Sequence, residues 1–125
     1  MARKTFQSGK ALSGLAPLST LTEHNGTVYL SGVTAIDPKT GELHGEASEQ
    51  AVKALGIICD ILADYGMSEA DVLKATIYLT DMADFPAVNQ AYQSCFSAPY
   101  PARTCIQAAK LPAGALLEID IIAGK

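Results

Sequence analysis

The sequence predicts an α+β fold in the order β-β-α-β-α-β-β, a sheet with two helices on one of its faces. Three observations carry that prediction. Two segments repeat apolar residues at helical spacing. Several shorter ones alternate apolar and polar side chains as half-buried strands do. Glycine, proline and asparagine punctuate the intervals between them. Helices gathered on one side of a sheet bury the apolar sides of its strands together. At 125 residues the chain reads as one domain over 1–125, long enough for its own core, and no repeat or linker divides it.

Residues 1–16, with Ser8-Gly9 and Ser13-Gly14, hold little pattern and read as an irregular or edge segment. Leu18, Thr20 and Thr22 alternate with Ser19, Leu21 and Glu23, which permits a short strand. Asn25-Gly26 then signals a two-residue hairpin turn. Thr27 to Ala35 reads as the returning strand, with Val28 and Leu30 on the face opposite Tyr29 and Ser31. Gly32 inside it marks either a bulge or a place where another group approaches the backbone. Asp37-Pro38-Lys39-Thr40-Gly41 is turn chemistry. Ser48 to Tyr65 is the main helix, capped by Ser48 and closed by Gly66. Val52, Leu55, Cys59 and Leu62 form its stripe, broadened by Ile58 and Ile61, so Cys59 reads as a small core residue.

Met67 to Asp71 is a capped turn into the strand Val72–Thr80. There Leu73, Ala75, Ile77 and Leu79 face the core, and Lys74, Thr76, Tyr78 and Thr80 face away. The second helix runs from Asp84 to Ser97. Phe85, Val88 and Tyr92 share a face that Phe96 continues, and Pro86 falls in the first turn. Pro99-Tyr100-Pro101 ends it and enforces an extended entry into the strand that begins at Ala102. After the loop Leu111-Pro112-Ala113-Gly114, the run Leu116–Ala123 puts Leu117, Ile119 and Ile121 on one face and Glu118 and Asp120 on the other. The second sheet face, with Lys74, Thr76, Tyr78, Glu118 and Asp120 among aliphatic residues, is too apolar for water and too polar for an ordinary core. Packing it against copies of the chain resolves the conflict and places semi-polar clefts at subunit boundaries.

Composition narrows the function classes. The chain is 49% hydrophobic and 18% charged, and no apolar run approaches the roughly 20 residues that span a bilayer. Met1-Ala2-Arg3-Lys4-Thr5 has no apolar stretch behind it, so no secretory signal is read. Three cysteines without a tight framework fit a reducing cytosol. A net charge of −4 argues against a phosphate-binding surface. No metal-ligand spacing and no phosphate loop is present.

Two charges inside sheet segments carry the chemistry. Arg103, with Cys105 and Gln107, lies on one face of the strand after Ala102, and Glu118 lies in the last strand. Buried charges are costly unless they are paired or used. The arginine fork matches a planar carboxylate, and a neighbouring carboxyl group can serve a water as general acid or base. The same spacing also suits a plain Arg–Glu ion pair or two surface strand ends. Cys105 as a nucleophile is disfavoured, since neither His24 nor His44 is placed beside it by a motif.

With Ser31-Gly32, the Asp37–Gly41 turn, Asn89, Pro101-Ala102-Arg103-Thr104-Cys105, Leu111-Pro112 and Glu118 in this order, the chain resembles the RidA (YjgF) family of reactive-intermediate deaminases from about Leu15 to Ala123. The resemblance implies a chorismate-mutase-like fold assembled as a homotrimer, with a site in each inter-subunit cleft. It implies hydrolysis of enamine and imine acids such as 2-aminoacrylate, 2-iminopropanoate or 2-iminobutanoate, without metal or organic cofactor. Arg103 would hold the substrate carboxylate and Glu118 would activate the water. Backbone groups around Cys105 and Ser31-Gly32 would contact substrate or water, and Asn89 would support the pocket. One departure stands out: Leu18, after Pro17, occupies the position where many such deaminases have tyrosine. Tyr100 substitutes only if it faces the cleft. A carboxylate-binding sensor or regulator is therefore the rival reading. RNA cleavage, attributed to some family members, is disfavoured by the acidic balance, and a holdase-like chaperone has no distinctive sequence feature.

Overall fold

The structure is a computed structural model that describes residues 2–9 and 16–125. Its strands are β1 (Lys4–Phe6), β2 (Leu21–His24), β3 (Thr27–Leu30), β4 (Val72–Leu79), β5 (Ala102–Gln107) and β6 (Leu117–Gly124). Its helices are α1 (Ala47–Asp64) and α2 (Phe85–Cys95). The strands form one six-stranded sheet in the order β1-β2-β3-β6-β4-β5. Every pairing is antiparallel except β4 with β5, which needs a crossover and has α2 as that crossover. The α+β architecture with two helices is as predicted, with one strand more. Lys4–Phe6, read as irregular or edge, is an edge strand on β2. Ser13-Gly14 lies outside the described residues.

Local chemistry explains the elements. Asn25 and Gly26 both take positive φ (53° and 83°), the backbone that a two-residue hairpin between twisted strands requires. At the start of α1, the extended residue is Glu46, whose N–H donates to Glu49 Oε1 at 3.0 Å. Ser48, predicted as the cap, lies inside the helix. The far end closes as predicted: Gly66 N donates to the Ala63 carbonyl at 3.1 Å and Met67 N to the Leu62 carbonyl at 2.7 Å, a paired C-terminal motif around a positive-φ glycine. Gln50 is buried with its polar atoms used. Its amide donates to the Gly45 carbonyl and its Oε1 accepts from Leu116 N, each at 3.0 Å, tying α1 to the entry of β6.

The core lies between the helices and one face of the sheet. From α1 it takes Ala51, Ala54, Leu55, Ile58, Ile61 and Leu62; from α2, Val88, Ala91 and Tyr92; from the sheet, Ala75, Ile77, Leu79, Leu117, Ile119 and Ile121. Val52 belongs outside it, 56% exposed, because the buried stripe runs through Ala51, Leu55, Ile58 and Leu62, one residue further round the helix. Cys59 is half-buried at the stripe's margin. Leu73 is also outside, 53% exposed. An irregularity between Val72 and Lys74 shifts the register, so Val72 takes the core place expected of Leu73. The opposite sheet face carries Lys74, Thr76, Tyr78, Glu118, Asp120 and Ile122, with the exposed side chains of Tyr29 and Ile106.

Candidate active site

Arg103 is the second residue of β5 and pairs with Ala75 of β4. Ala75 is fully buried under the helices, so the arginine projects from the sheet face that α2 covers. Phe85, Asn89 and Tyr92 recur on α2 at i, i+4 and i+7 and form a platform over it. Arg103 Nη2 donates to Asn89 Oδ1 at 2.7 Å, and the guanidinium carbon stands 5.0 Å from the Tyr92 ring centre and 5.5 Å from that of Phe85. One hydrogen bond and two aromatic faces hold the fork in place. The group opens on a cavity of about 280 Å³ lined by Asn89, Tyr92, Gln93, Tyr100, Pro101 and Arg103. Cys105 follows on the same side, half-buried. Burial pushes its thiol up, with Arg103 opposing.

Glu118 is the second residue of β6 and pairs with Tyr78 of β4, on the other face of the sheet. Val33 and Ile119 exchange two backbone hydrogen bonds of 2.8 and 2.9 Å, which bring Gly32 against the carboxyl group. A Cβ at Gly32 would stand 2.5 Å from Glu118 Oε2 and 2.7 Å from its Cδ, so the glycine is there for room, the close approach foreseen at this position. Ser31 beside it donates through Oγ to the Ser19 carbonyl at 2.7 Å. It also lines a second cavity of about 390 Å³ with Arg3, Pro17, Leu18, Ser19 and Thr22. Burial pushes the Glu118 carboxyl above the usual range, and the Asp120 charge adds to this.

The predicted site residues thus gather into two groups. Arg103, Asn89 and Cys105 lie under α2; Glu118, Gly32 and Ser31 lie towards the open face. Within one chain Arg103 and Glu118 do not meet, and among the described residues the arginine's hydrogen-bond partner is Asn89 rather than a carboxylate. Within one chain Tyr100 lines the arginine's cavity and Leu18 the serine's. Sequence reasoning found the shared face of Phe85 and Tyr92 but not that it supports a cation. It placed Asp120 beside Glu118 without the hydrogen bond that Tyr78 OH donates to Asp120 Oδ2 at 2.9 Å.

A family model described as endoribonuclease L-PSP matches residues 8–125. The 2-iminobutanoate/2-iminopropanoate deaminase of Bos taurus is 38% identical over 124 residues, covering 98% of this chain and 90% of that protein. Its Homo sapiens namesake is 35% identical with the same coverage. Among solved structures, RidA from an Antarctic Psychrobacter superposes with a TM-score of 0.92 at 36% identity, over 98% of this chain and 99% of that one. Escherichia coli TdcF with bound serine superposes with a TM-score of 0.91 at 32% identity, over 98% of each.

Proposed function

This chain belongs to the RidA (YjgF) family, and from that membership we propose that it hydrolyses reactive enamine and imine acids in clefts shared by the copies of a homotrimer. The substrates are 2-aminoacrylate with its tautomer 2-iminopropanoate, and 2-iminobutanoate. Water adds to the imine carbon, the carbinolamine expels its nitrogen, and a 2-keto acid and ammonia leave. A protonated imine is already electrophilic, so positioning and a proton shuttle suffice. Arg103, fixed by Asn89, offers its remaining N–H donors to the substrate carboxylate. Glu118 takes a proton from the attacking water and returns one to the departing nitrogen, a role worth about 10²–10⁴-fold. Backbone groups at Ser31-Gly32 and at Cys105 complete the contacts.

The observation that carries the reading is the division of these groups between two faces of one sheet. A cation under α2 and a carboxyl group on the open face form one site only when a second copy presents the missing half. The half-apolar open face, with Tyr29 and Ile106 exposed, supplies the reason to pack against copies.

A second reading, a trimer that binds small carboxylates without turning them over, is favoured by Leu18. It lines the serine cavity with a side chain that offers no hydroxyl. The serine held by E. coli TdcF supports small amino-acid-like ligands in either reading. Ammonia release from imines generated in situ by an amino-acid oxidase or a threonine dehydratase decides between them. Turnover lost on Arg103→Ala together with ligand binding, and lost on Glu118→Gln with binding retained, supports the hydrolase. Tight binding without turnover in the native chain supports the sensor, and normal turnover in Glu118→Gln removes the carboxyl group from the mechanism.

A further inference from the structure

Glu118 and Asp120 project from β6 on one face, two residues apart. Tyr78 stands directly across from Glu118 on β4, yet its hydroxyl reaches past that partner along the diagonal and donates to Asp120 Oδ2 at 2.9 Å. One of two adjacent carboxyl groups is therefore tethered, and the other, half-buried against Gly32, has no such tether among the described residues. We infer that Tyr78 and Asp120 are positioning residues for Glu118: the tyrosine holds the aspartate in place, and the held charge sets when Glu118 carries its proton. This rests on the proposed hydrolysis only in giving Glu118 a proton to move.

The charges around the group fit that role. On the open face Glu118 is faced by Asp120 from its own strand, by Tyr78 and, further along, Lys74 from β4, and by Tyr29 from β3. The β5 side chains of that face, Ala102, Thr104 and Ile106, do not titrate, nor does the Ser31-Gly32 segment. Burial and Asp120 both favour the protonated carboxyl group. In the proposed cleft, Arg103 of a second copy pulls the other way. A general acid–base group works best when its proton is exchangeable near the working pH. A fixed negative neighbour offsets the arginine and keeps Glu118 in that range. The charge on Asp120 acts on Glu118 across the strand, and the hydrogen bond from Tyr78 fixes where that charge stands.

The test titrates the Glu118 carboxyl carbon by NMR in the intact assembly labelled with 13C-glutamate, its signal identified by loss in Glu118→Gln. The pH profile of kcat/KM for imine hydrolysis is measured in parallel. For unit charges about 7 Å apart in partly screened surroundings, Asp120→Asn is expected to lower the titration midpoint and the acidic limb together by about half to one pH unit. Asp120→Glu, which keeps the charge, leaves the midpoint close to its native value. Tyr78→Phe, which frees the aspartate without removing it, gives a smaller shift in the same direction and guards against an unfolded Asp120→Asn. A midpoint unmoved in a folded Asp120→Asn, or equally moved by Asp120→Glu, overturns the inference. The NMR arm reads the pair's effect even in a protein without turnover, so loss of the hydrolase reading and loss of this one are told apart.

Discussion

Arg103 and Glu118 project from opposite faces of the same sheet, the first paired with buried Ala75 under α2 and the second with Tyr78 on the open side. In a shared site each cleft then takes its arginine from one copy and its carboxyl group from another. Mixing inactive Arg103→Ala with inactive Glu118→Gln subunits, after unfolding and joint refolding, is expected to restore about a quarter of native imine turnover. Random assembly pairs two intact halves in that fraction of clefts. A site contained within one chain gives no restoration.

Gly32 and Glu118 make a second expectation. The glycine does not have positive φ, so alanine is conformationally tolerable there. Its Cβ would fall 2.5 Å from Glu118 Oε2. The flexible end of the glutamate can swing away at little cost in stability, but the catalytic geometry goes with it. Gly32→Ala should melt within a few degrees of the native protein while losing imine turnover by at least about tenfold, the reach of a misplaced acid–base group. Native turnover in that variant would show that the carboxyl group does not work from its observed position.

Much of this was legible in the chain, for identifiable reasons. Asn25-Gly26, Gly66 and the alternation through β6 are local signals whose meaning does not depend on the rest of the fold. The errors came where tertiary contacts choose among equivalent local options. Val52 and Ile61 look alike in a helical stripe, and only the sheet beneath α1 decides which one is buried. A register shift near Leu73 leaves no mark in composition. Arg103 and Glu118 stand out in the chain as charges inside strands, whereas Ser31 and Asn89 enter as site residues only through the resemblance. The separation of Arg103 and Glu118 onto two faces follows from register, since they pair with Ala75 and Tyr78, positions of opposite parity on β4.

The thiols should behave as packing rather than reagents. Cys59 and Cys95 touch across α1 and α2 with sulfurs 3.8 Å apart. Burial foremost, with Cys95 beside it, pushes Cys59 up to about 12, and burial raises Cys95 and Cys105 as well. At pH 8 the thiolate share of Cys59 is then about 10⁻⁴. A disulfide reagent should label the native chain slowly, with full reaction of Cys59 only after denaturation. Cys105→Ala should keep imine turnover within a few-fold, and loss of turnover by orders of magnitude would return the thiol to the mechanism.

Stability should carry a pH signature at the junction of α1 with the outer strands. Tyr65, just past the last turn of α1, donates its hydroxyl to Glu23 of β2, and its ring meets Phe6 of β1 edge-on at 5.6 Å. The Tyr65 hydrogen bond, first among several causes, holds the Glu23 carboxyl below its ordinary 4.5, and Glu23 in turn pushes the Tyr65 phenol above its ordinary 10. A lowered carboxylate contributes stability that is full above 4.5 and is lost as pH falls through its folded value. A raised phenol contributes stability that is full below 10 and is lost as pH rises through its folded value. Tyr65→Phe keeps the ring against Phe6 and removes only the hydroxyl. Its melting temperature should therefore fall a few degrees short of native at pH 7, and the gap should narrow below pH 4 and again above pH 10. Thermal melts of both proteins across that range provide the check. A gap of constant size would mean that the hydroxyl acts through packing and not through the charge on Glu23.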